Sequence, residues 1–230
     1  MRESNQPCFC SCVAAKPVYW LAFAQRIRSP EIFKEALIHA VGRINQPHLR
    51  TIHTDLDRYI VNVIDAKVED LKQSFEKLML NIGSYYPQEL QREALPGFTD
   101  IANIGRGSYS NDIFGWHALS IFRQYINQEA IKTLNKHDMG YALVTKIFEG
   151  GNGYLTRADM EPFFQAICPM SPKAQDGIER KVNEMKNHVK RWAGDLMVNK
   201  SEVNTRYFPL NYFTCTNVTE EDIPFGPVMY

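Results

Sequence analysis

Apolar residues recur at helical spacing along most of this chain, and this pattern predicts an all-α protein. From Ile32 to Ile44 they fall at the i, i+1, i+4 and i+5 positions of a helix with one buried face. Ser29 and Pro30 predict where that helix begins, because serine accepts a backbone hydrogen bond as N-cap and proline suits the first helical position. Residues 18–24 form a second apolar run, so we expect the chain to open with a helical hairpin.

Two stretches predict long helices. The first covers 55–82 with three-to-four spacing over about seven turns, with Thr54 and Asp57 as a capping pair. The second begins at Ser171-Pro172, and its apolar residues from Ile178 to Leu196 follow alternating steps of four and three, which is a heptad seam. We expect this helix to pack inside its own domain. Self-association through the Ile178–Leu196 seam is the alternative.

A third helical pattern starts near Asn111 and places Trp116 in its apolar stripe, together with Ile113, Leu119, Phe122 and Ile126. Large aromatic side chains bury the most area, so Trp116 is predicted to lie at the centre of the core. Shorter helices are predicted at 129–134, at 138–148, and from a Thr156 cap to Cys168-Pro169. Together these patterns predict an irregular bundle of six to eight helices, two of them long.

The two ends of the chain lack this periodicity. Residues 1–16 are predicted to be a disordered tail, and their cysteines lack the fourth ligand and the paired spacing of a zinc site: Cys8, Cys10 and Cys12. Residues 17–200 form the predicted helical domain. Residues 201–230 are rich in aromatics and prolines, which predicts an extended C-terminal tail packed on that domain, with an exposed recognition peptide as the alternative.

Composition and charge narrow the classes of partner. The net charge is zero and the pI is about 7, which disfavours binding to nucleic acid or to an anionic membrane. No apolar run approaches the roughly 20 residues that cross a bilayer, and the run at 13–24 is too interrupted for a signal peptide. The odd number of cysteines, five, fits a reducing compartment. We therefore expect a cytoplasmic or nuclear protein without nucleic-acid or membrane partners.

The sequence contains no motif of an enzyme or a cofactor site. A nucleophile elbow, a zinc-protease motif, a dinucleotide fingerprint and a Walker loop are all absent, and the Gly105–Ser108 turn lacks the lysine that such a loop requires. An EF-hand alignment on Gly153 fails, because Phe148 and Gly150 stand where calcium needs oxygen ligands. We expect no metal, no cofactor and no catalysis. An enzyme would instead need a polar pocket that gathers His39, His117 or Cys168 with a carboxylate.

An ordered series of segments carries a resemblance to a known family. The segments are Arg28–Gly42, Asp112–Trp116, Phe148–Gly151, Cys168–Ser171, Asp195–Asn199, and Thr214–Cys215 ahead of Glu220–Pro224. The series resembles the BACK-like helical region that follows the BTB/POZ domain in fungal BTB-domain proteins, although Met1–Lys16 does not resemble a BTB domain. The resemblance implies a non-catalytic scaffold or adaptor that binds another protein, without naming that protein.

The same resemblance suggests where a partner would bind. In other BTB families the helical hairpin after the BTB domain contributes to contact with cullin-type ubiquitin ligases. By this analogy a partner surface is expected at Ser29, Glu31, Lys34, Glu35, Ile38 and His39. Because no BTB domain is recognised here, cullin docking itself is not expected to be retained.

Overall fold

The computed structural model describes residues 9–46, 56–90, 109–134 and 138–225. Within these residues the chain forms eight α-helices and no strand, which confirms the predicted all-α irregular bundle. The helices are α1 Phe9–Ala15, α2 Pro17–Ile27, α3 Pro30–Gly42, α4 Arg58–Ser84, α5 Tyr109–Leu134, α6 Tyr141–Glu149, α7 Arg157–Pro162 and α8 Pro172–Val189. None of the described helices is both long and apolar enough to cross a bilayer.

Three helix starts follow the predicted capping residues. The hydroxyls of Ser29 and Ser171 each accept a hydrogen bond from the backbone N–H three positions on, at 3.4 Å. Thr156 and Asp159 form a reciprocal capping box, in which each side chain accepts from the other residue's N–H. These three predictions are confirmed, because a cap depends only on residues within one helical turn.

Helix boundaries differ from the predicted ones at several points. Helix α4 begins at Arg58, and the predicted cap residue Thr54 lies outside the described residues, as does the Gly105–Ser108 turn. Helix α5 is continuous across the two predicted helices, because the sequence between them contains neither glycine nor proline to end the first one. The last long helix ends at Val189 and passes into a short 3₁₀ segment at Lys190–Ala193.

The chain divides into two compact units. The predicted bounds of the helical domain, 17–200, stay a prediction. Unit 1 comprises Met1–Lys77, Thr133–Val144 and Gly194–Tyr230, and unit 2 comprises Leu78–Lys132 and Thr145–Ala193. In unit 1, α2 packs on α3 through fully buried apolar side chains that include Leu21, Ala24, Phe33, Leu37 and Val41. Helix α1 also packs on α3, although it lies in the stretch predicted to be disordered.

In unit 2, the core consists of aromatic and aliphatic side chains from α5 to α8. The largest fully buried ones are Tyr154, Phe122 and Phe164. The seam residues Ile178, Val182, Met185 and Val189 are also fully buried within this chain. These four residues therefore pack inside unit 2, and they do not present the exposed face that the self-association alternative requires. The predicted seam does not continue as one helix to Leu196, because α8 ends at Val189 and Leu196 belongs to unit 1.

The C-terminal segment of unit 1 has an irregular backbone and is attached by specific contacts. Its residues Tyr212 and Phe213 are buried. The hydroxyl of Tyr141 donates to the Leu210 carbonyl at 3.0 Å, and Phe213 packs edge-on against the Tyr141 ring. By contrast, Tyr207 is 80% exposed. Aromatic residues only a few positions apart in this segment are thus either buried in unit 1 or exposed to solvent.

Candidate protein-interaction surface

The six residues predicted as a partner surface divide into an exposed and a buried group. Glu31 and Lys34 are exposed and Ser29 is half-buried, at the start of α3. Glu35, Ile38 and His39 are buried in the core of unit 1. The structure therefore does not bring the six together as one exposed face, because the second half of α3 packs inside the unit. Binding through the first three stays a prediction.

The buried residues of this set belong to a polar network. His39 is fully buried, with its Nε2 3.1 Å from Oε1 of Glu35 and its Nδ1 3.0 Å from the hydroxyl of Tyr212. The second carboxylate oxygen of Glu35 accepts a hydrogen bond from the Glu202 N–H at 2.9 Å. Burial is the main reason that the pKa of Tyr212 is raised to about 12. The network holds the C-terminal segment against α3, which is a structural role.

Of the three residues named for the enzyme alternative, only His39 is hydrogen-bonded to a carboxylate among the described residues, that of the buried Glu35. His117 packs edge-on against Phe163, and neither His117 nor Cys168 shares a hydrogen bond with a carboxylate among the described residues. No group of three His, Cys, Asp or Glu side chains within the described ranges could hold a metal ion. A depression of about 270 Å³ in unit 1 is lined by Tyr141, Leu196, Met197, Asn199, Thr205, Pro209, Leu210, Tyr212 and Thr214. Its lining carries no carboxylate, histidine or thiol.

The clearest candidate for binding in unit 2 is an exposed aromatic surface formed by Tyr86, Ile113 and Trp116, here called the Trp116 surface. Trp116 is 49% exposed, and its ring contacts the Tyr86 ring at 6.0 Å between centroids. Ile113 lies one turn earlier on α5 and is also exposed. Tryptophan and tyrosine are enriched at the energetic centres of protein interfaces. The arrangement is therefore suited to receive an apolar group of another protein.

The loop that carries Tyr86 is held in place by side chains of α5 and of the α8 region. Arg123 on α5 donates from Nη2 to the Tyr85 carbonyl at 2.8 Å, and its guanidinium lies over the Tyr86 ring at 4.3 Å. The Tyr85 ring stacks on His188 at 4.6 Å and meets Trp192 edge-on. Because both tyrosines are fixed by α5 and by the α8 region, the Trp116 surface is pre-organised.

Charged side chains also lie in unit 2 beside this loop. Lys181 pairs with Glu89 at 3.0 Å and with Glu184 at 2.9 Å. Partial burial acts to raise the pKa of Glu89, but a backbone hydrogen bond and Lys181 outweigh it, so the pKa is lowered. The hydrogen bonds from Lys181 to Glu184 and Glu89 raise the pKa of the lysine. These ion pairs are the polar neighbours of the Tyr85-Tyr86 loop.

The prediction that Trp116 lies at the centre of the core is wrong, and helix geometry explains why. Each step of three residues turns a helix by about 300°, so four apolar residues at successive steps spread over about half its circumference. Ile113, Trp116, Leu119 and Phe122 are spaced in this way, so they cannot all face the core. The core takes Leu119 and Phe122, and Gly115 lies where an added Cβ would come within 3.0 Å of Leu90. Gly115 is the sequence signal that could have fixed the orientation of the helix.

Comparison with known proteins corrects the predicted resemblance. The family model that matches is described as the FF domain, in its fungal form, and it covers residues 87–195, a little under half of the chain. No BTB or BACK family model matches, so the assignment to the post-BTB region is wrong. The segments that suggested it were short and lacked any catalytic or ligand-binding pattern. No curated protein and no solved structure matches the chain.

The matched range contains most of unit 2, including Trp116, Ile113 and the α8 region that supports the Tyr85-Tyr86 loop. FF domains are protein-interaction domains, which agrees with the coarse prediction of a protein-binding role. Residues 87–195 of this chain are thus similar to the fungal FF domain family.

Proposed function

We propose that this chain is a non-catalytic adaptor that binds a protein partner through the Trp116 surface of unit 2. The observation that carries the proposal is the exposure of a rigidly held tryptophan inside the segment similar to an FF domain, in contact with an exposed tyrosine directly before that segment. A large aromatic side chain exposed to water costs free energy that burial in a complex recovers. The partner we expect presents an apolar side chain that packs against the exposed sides of the Tyr86 and Trp116 rings.

Two features support binding over a purely structural role for these rings. The Trp116 ring is half-exposed, so it contributes little to the core compared with Phe122, which is fully buried on the same helix. The Tyr86 ring is covered on one side by Arg123, which restricts its motion and so reduces the entropy that binding would cost. Rigid aromatic anchors of this kind are typical of interaction surfaces.

The proposal is tested by affinity purification of the full chain from its native cells, followed by quantitative mass spectrometry. The baits are the parent chain, Trp116→Ala, Tyr86→Ala and the matched control Ile131→Ala. Ile131 is 62% exposed on the same helix α5, so the control removes a comparable apolar group outside the surface. We expect at least one protein to be depleted in both test baits and retained in the control.

A direct binding measurement with that protein then gives the size of the effect. Truncating a central aromatic residue of an interface weakens binding by about 10- to 100-fold or more. Identical protein sets for all four baits would contradict the proposal. Loss of the same protein from the Ile131→Ala bait would also count against it, because the effect would then not be specific to the Trp116 surface.

A further inference from the structure

A second exposed aromatic surface lies in unit 1, on the two N-terminal helices. On α2, Tyr19 is 62% and Ile27 is 49% exposed, and Phe9 on α1 is 49% exposed. At about 100° per residue, Tyr19, Phe23 and Ile27 lie on one face of α2, opposite the buried Leu21 and Ala24. Two adjoining helices therefore present apolar side chains on one exposed side.

This side is held together by ring contacts. Trp20 meets Phe9 edge-on at 5.0 Å and Phe23 at 5.4 Å between centroids. The indole N–H of Trp20 donates to the Cys12 carbonyl at 3.1 Å, so α1 and α2 are joined by a polar contact as well. Because the opposite side of α2 packs on α3, the orientation of these rings is fixed.

The charge of this segment differs from that of the whole chain. Residues 4–30 contain no Asp or Glu and three basic residues, Lys16, Arg26 and Arg28, whereas the full chain is neutral. All three are exposed, and within the described part of the chain none of them forms an ion pair. The carboxylate of Asp57 meets α2 at Gln25, which lies away from the Tyr19 face. On α2 itself the charged side chains are thus all positive, and the first acidic residue after it is Glu31 at the start of α3.

We propose that this basic aromatic face, formed by Phe9, Tyr19, Trp20, Phe23 and Ile27 and flanked by Lys16, Arg26 and Arg28, binds the surface of an anionic lipid bilayer. Tryptophan, tyrosine and phenylalanine side chains insert at the headgroup level, and Lys and Arg bind anionic headgroups. Near such a surface each basic residue strengthens binding by about fivefold. The expectation of no membrane partner used the net charge of the whole chain, which hides the local excess of three positive charges.

The face lies in unit 1 and shares no residue with the Trp116 surface. The proposal therefore stands apart from the proposed adaptor function, and either can fail alone. The helices involved are short, so the binding is interfacial and does not cross the bilayer.

The test is sedimentation of the purified full chain with vesicles of phosphatidylcholine alone or with about 30 mol% phosphatidylserine. We expect sedimentation with the phosphatidylserine vesicles, little with pure phosphatidylcholine, and a decrease as the salt concentration rises. No sedimentation above the vesicle-free control with either vesicle would overturn the proposal.

Two pairs of variants locate the binding. Lys16→Gln with Arg26→Gln should weaken binding by roughly 20-fold or more, whereas the control Lys34→Gln with Arg206→Gln removes the same charge elsewhere on unit 1. Tyr19→Ser with Ile27→Ser should also weaken it, and Tyr207→Ser is the matched aromatic control. Circular dichroism verifies that each variant is folded, since all the changed side chains are exposed.

If the test and control charge variants weaken vesicle binding equally, the proposal is overturned, because binding then depends on the total charge of the protein. A different outcome is that the parent chain fails to sediment with vesicles while the double variant Tyr19→Ser with Ile27→Ser loses a protein in affinity purification. In that case the face binds a protein, and the lipid proposal is wrong.

Discussion

His39 in unit 1 and Trp116 in unit 2 each lie in an environment that is unusual for the side chain. The imidazole is fully buried with two polar partners, whereas the indole is half-exposed. A buried polar group is stable when it finds a hydrogen-bond partner, whereas an exposed aromatic group adds little to the core and is accessible to a partner. The comparison separates a residue that stabilises the fold from one that is available for binding.

The largest expected difference is between two aromatic residues on α5. Phe122→Ala should lower the free energy of unfolding by about 3–5 kcal/mol, because it leaves a cavity in the core of unit 2. Trp116→Ala should lower it by about 1 kcal/mol or less, because half of the ring is already in water. Urea unfolding followed by circular dichroism measures both. Equal losses would mean that Trp116 is a core residue after all.

A second prediction tests the attachment of the C-terminal segment near the His39 network. Gly42→Ala would place a Cβ 2.1 Å from the Phe213 carbonyl oxygen, so we expect a loss of about 3 kcal/mol or more in unfolding free energy. The control is Gly83→Ala on α4, where no atom lies within 4 Å of the added carbon. There alanine should stabilise by about 0.5–1 kcal/mol. Thermal unfolding of the two variants gives opposite shifts of Tm if this packing is correct.

The third prediction concerns the hydrogen bond between Tyr212 and His39. Tyr212→Phe removes the hydroxyl and leaves the buried Nδ1 of His39 unpaired, which should cost about 1–3 kcal/mol. Tyr207→Phe, at an 80% exposed position of the same segment, should change stability by less than about 0.5 kcal/mol. Denaturant midpoints compare the pair. A silent Tyr212→Phe variant would show that the network does not stabilise unit 1.

The smallest effect is expected at Lys186, a buried cation of unit 2. Its ammonium donates to the Leu155 carbonyl at 3.1 Å and lies over the Tyr154 ring, and burial lowers its pKa. Lys186→Met should therefore change the unfolding free energy at pH 7 by about 1 kcal/mol or less, in the stabilising direction.

The pH dependence of that difference has a definite sign. Below the lowered pKa, Lys186 is charged in both states and the parent bears the full cost of burying the charge. As pH rises through that pKa towards about 10.4, the value of an unfolded lysine, the folded parent loses its charge and the advantage of Lys186→Met should shrink. Unfolding of both proteins from pH 7 to pH 10 measures this. An advantage that grows with pH would contradict the assignment.

The parts of the fold that sequence could predict are those that depend on nearby residues. Ser29, Ser171 and Thr156 each satisfy a backbone N–H within the next turn, so their type and spacing were sufficient. The part of the predicted Ile178–Leu196 seam from Ile178 to Val189 was correct for the same reason, since three regular steps leave one orientation of the helix.

The orientation of α5 and the partners of His39 could not be predicted in this way. Apolar residues occupy so much of the α5 circumference that several faces fit the core equally well, and contacts such as Gly115 with Leu90 decide between them. Tyr212 lies 173 positions from His39, and no local pattern links them. The Trp116 surface was missed because a large aromatic residue within an apolar stripe is predicted to be buried.

The absence of carboxylates and histidines from residues 4–30 has a consequence for regulation. The side chains that ordinarily titrate between about pH 4 and pH 7 are those of Asp, Glu and His, and this segment contains none of them. Acidification of the surroundings would leave the attraction of this segment for negative surfaces unaltered. The fraction of protein bound through this segment would instead depend on the composition of the surface and on the ionic strength of the solution.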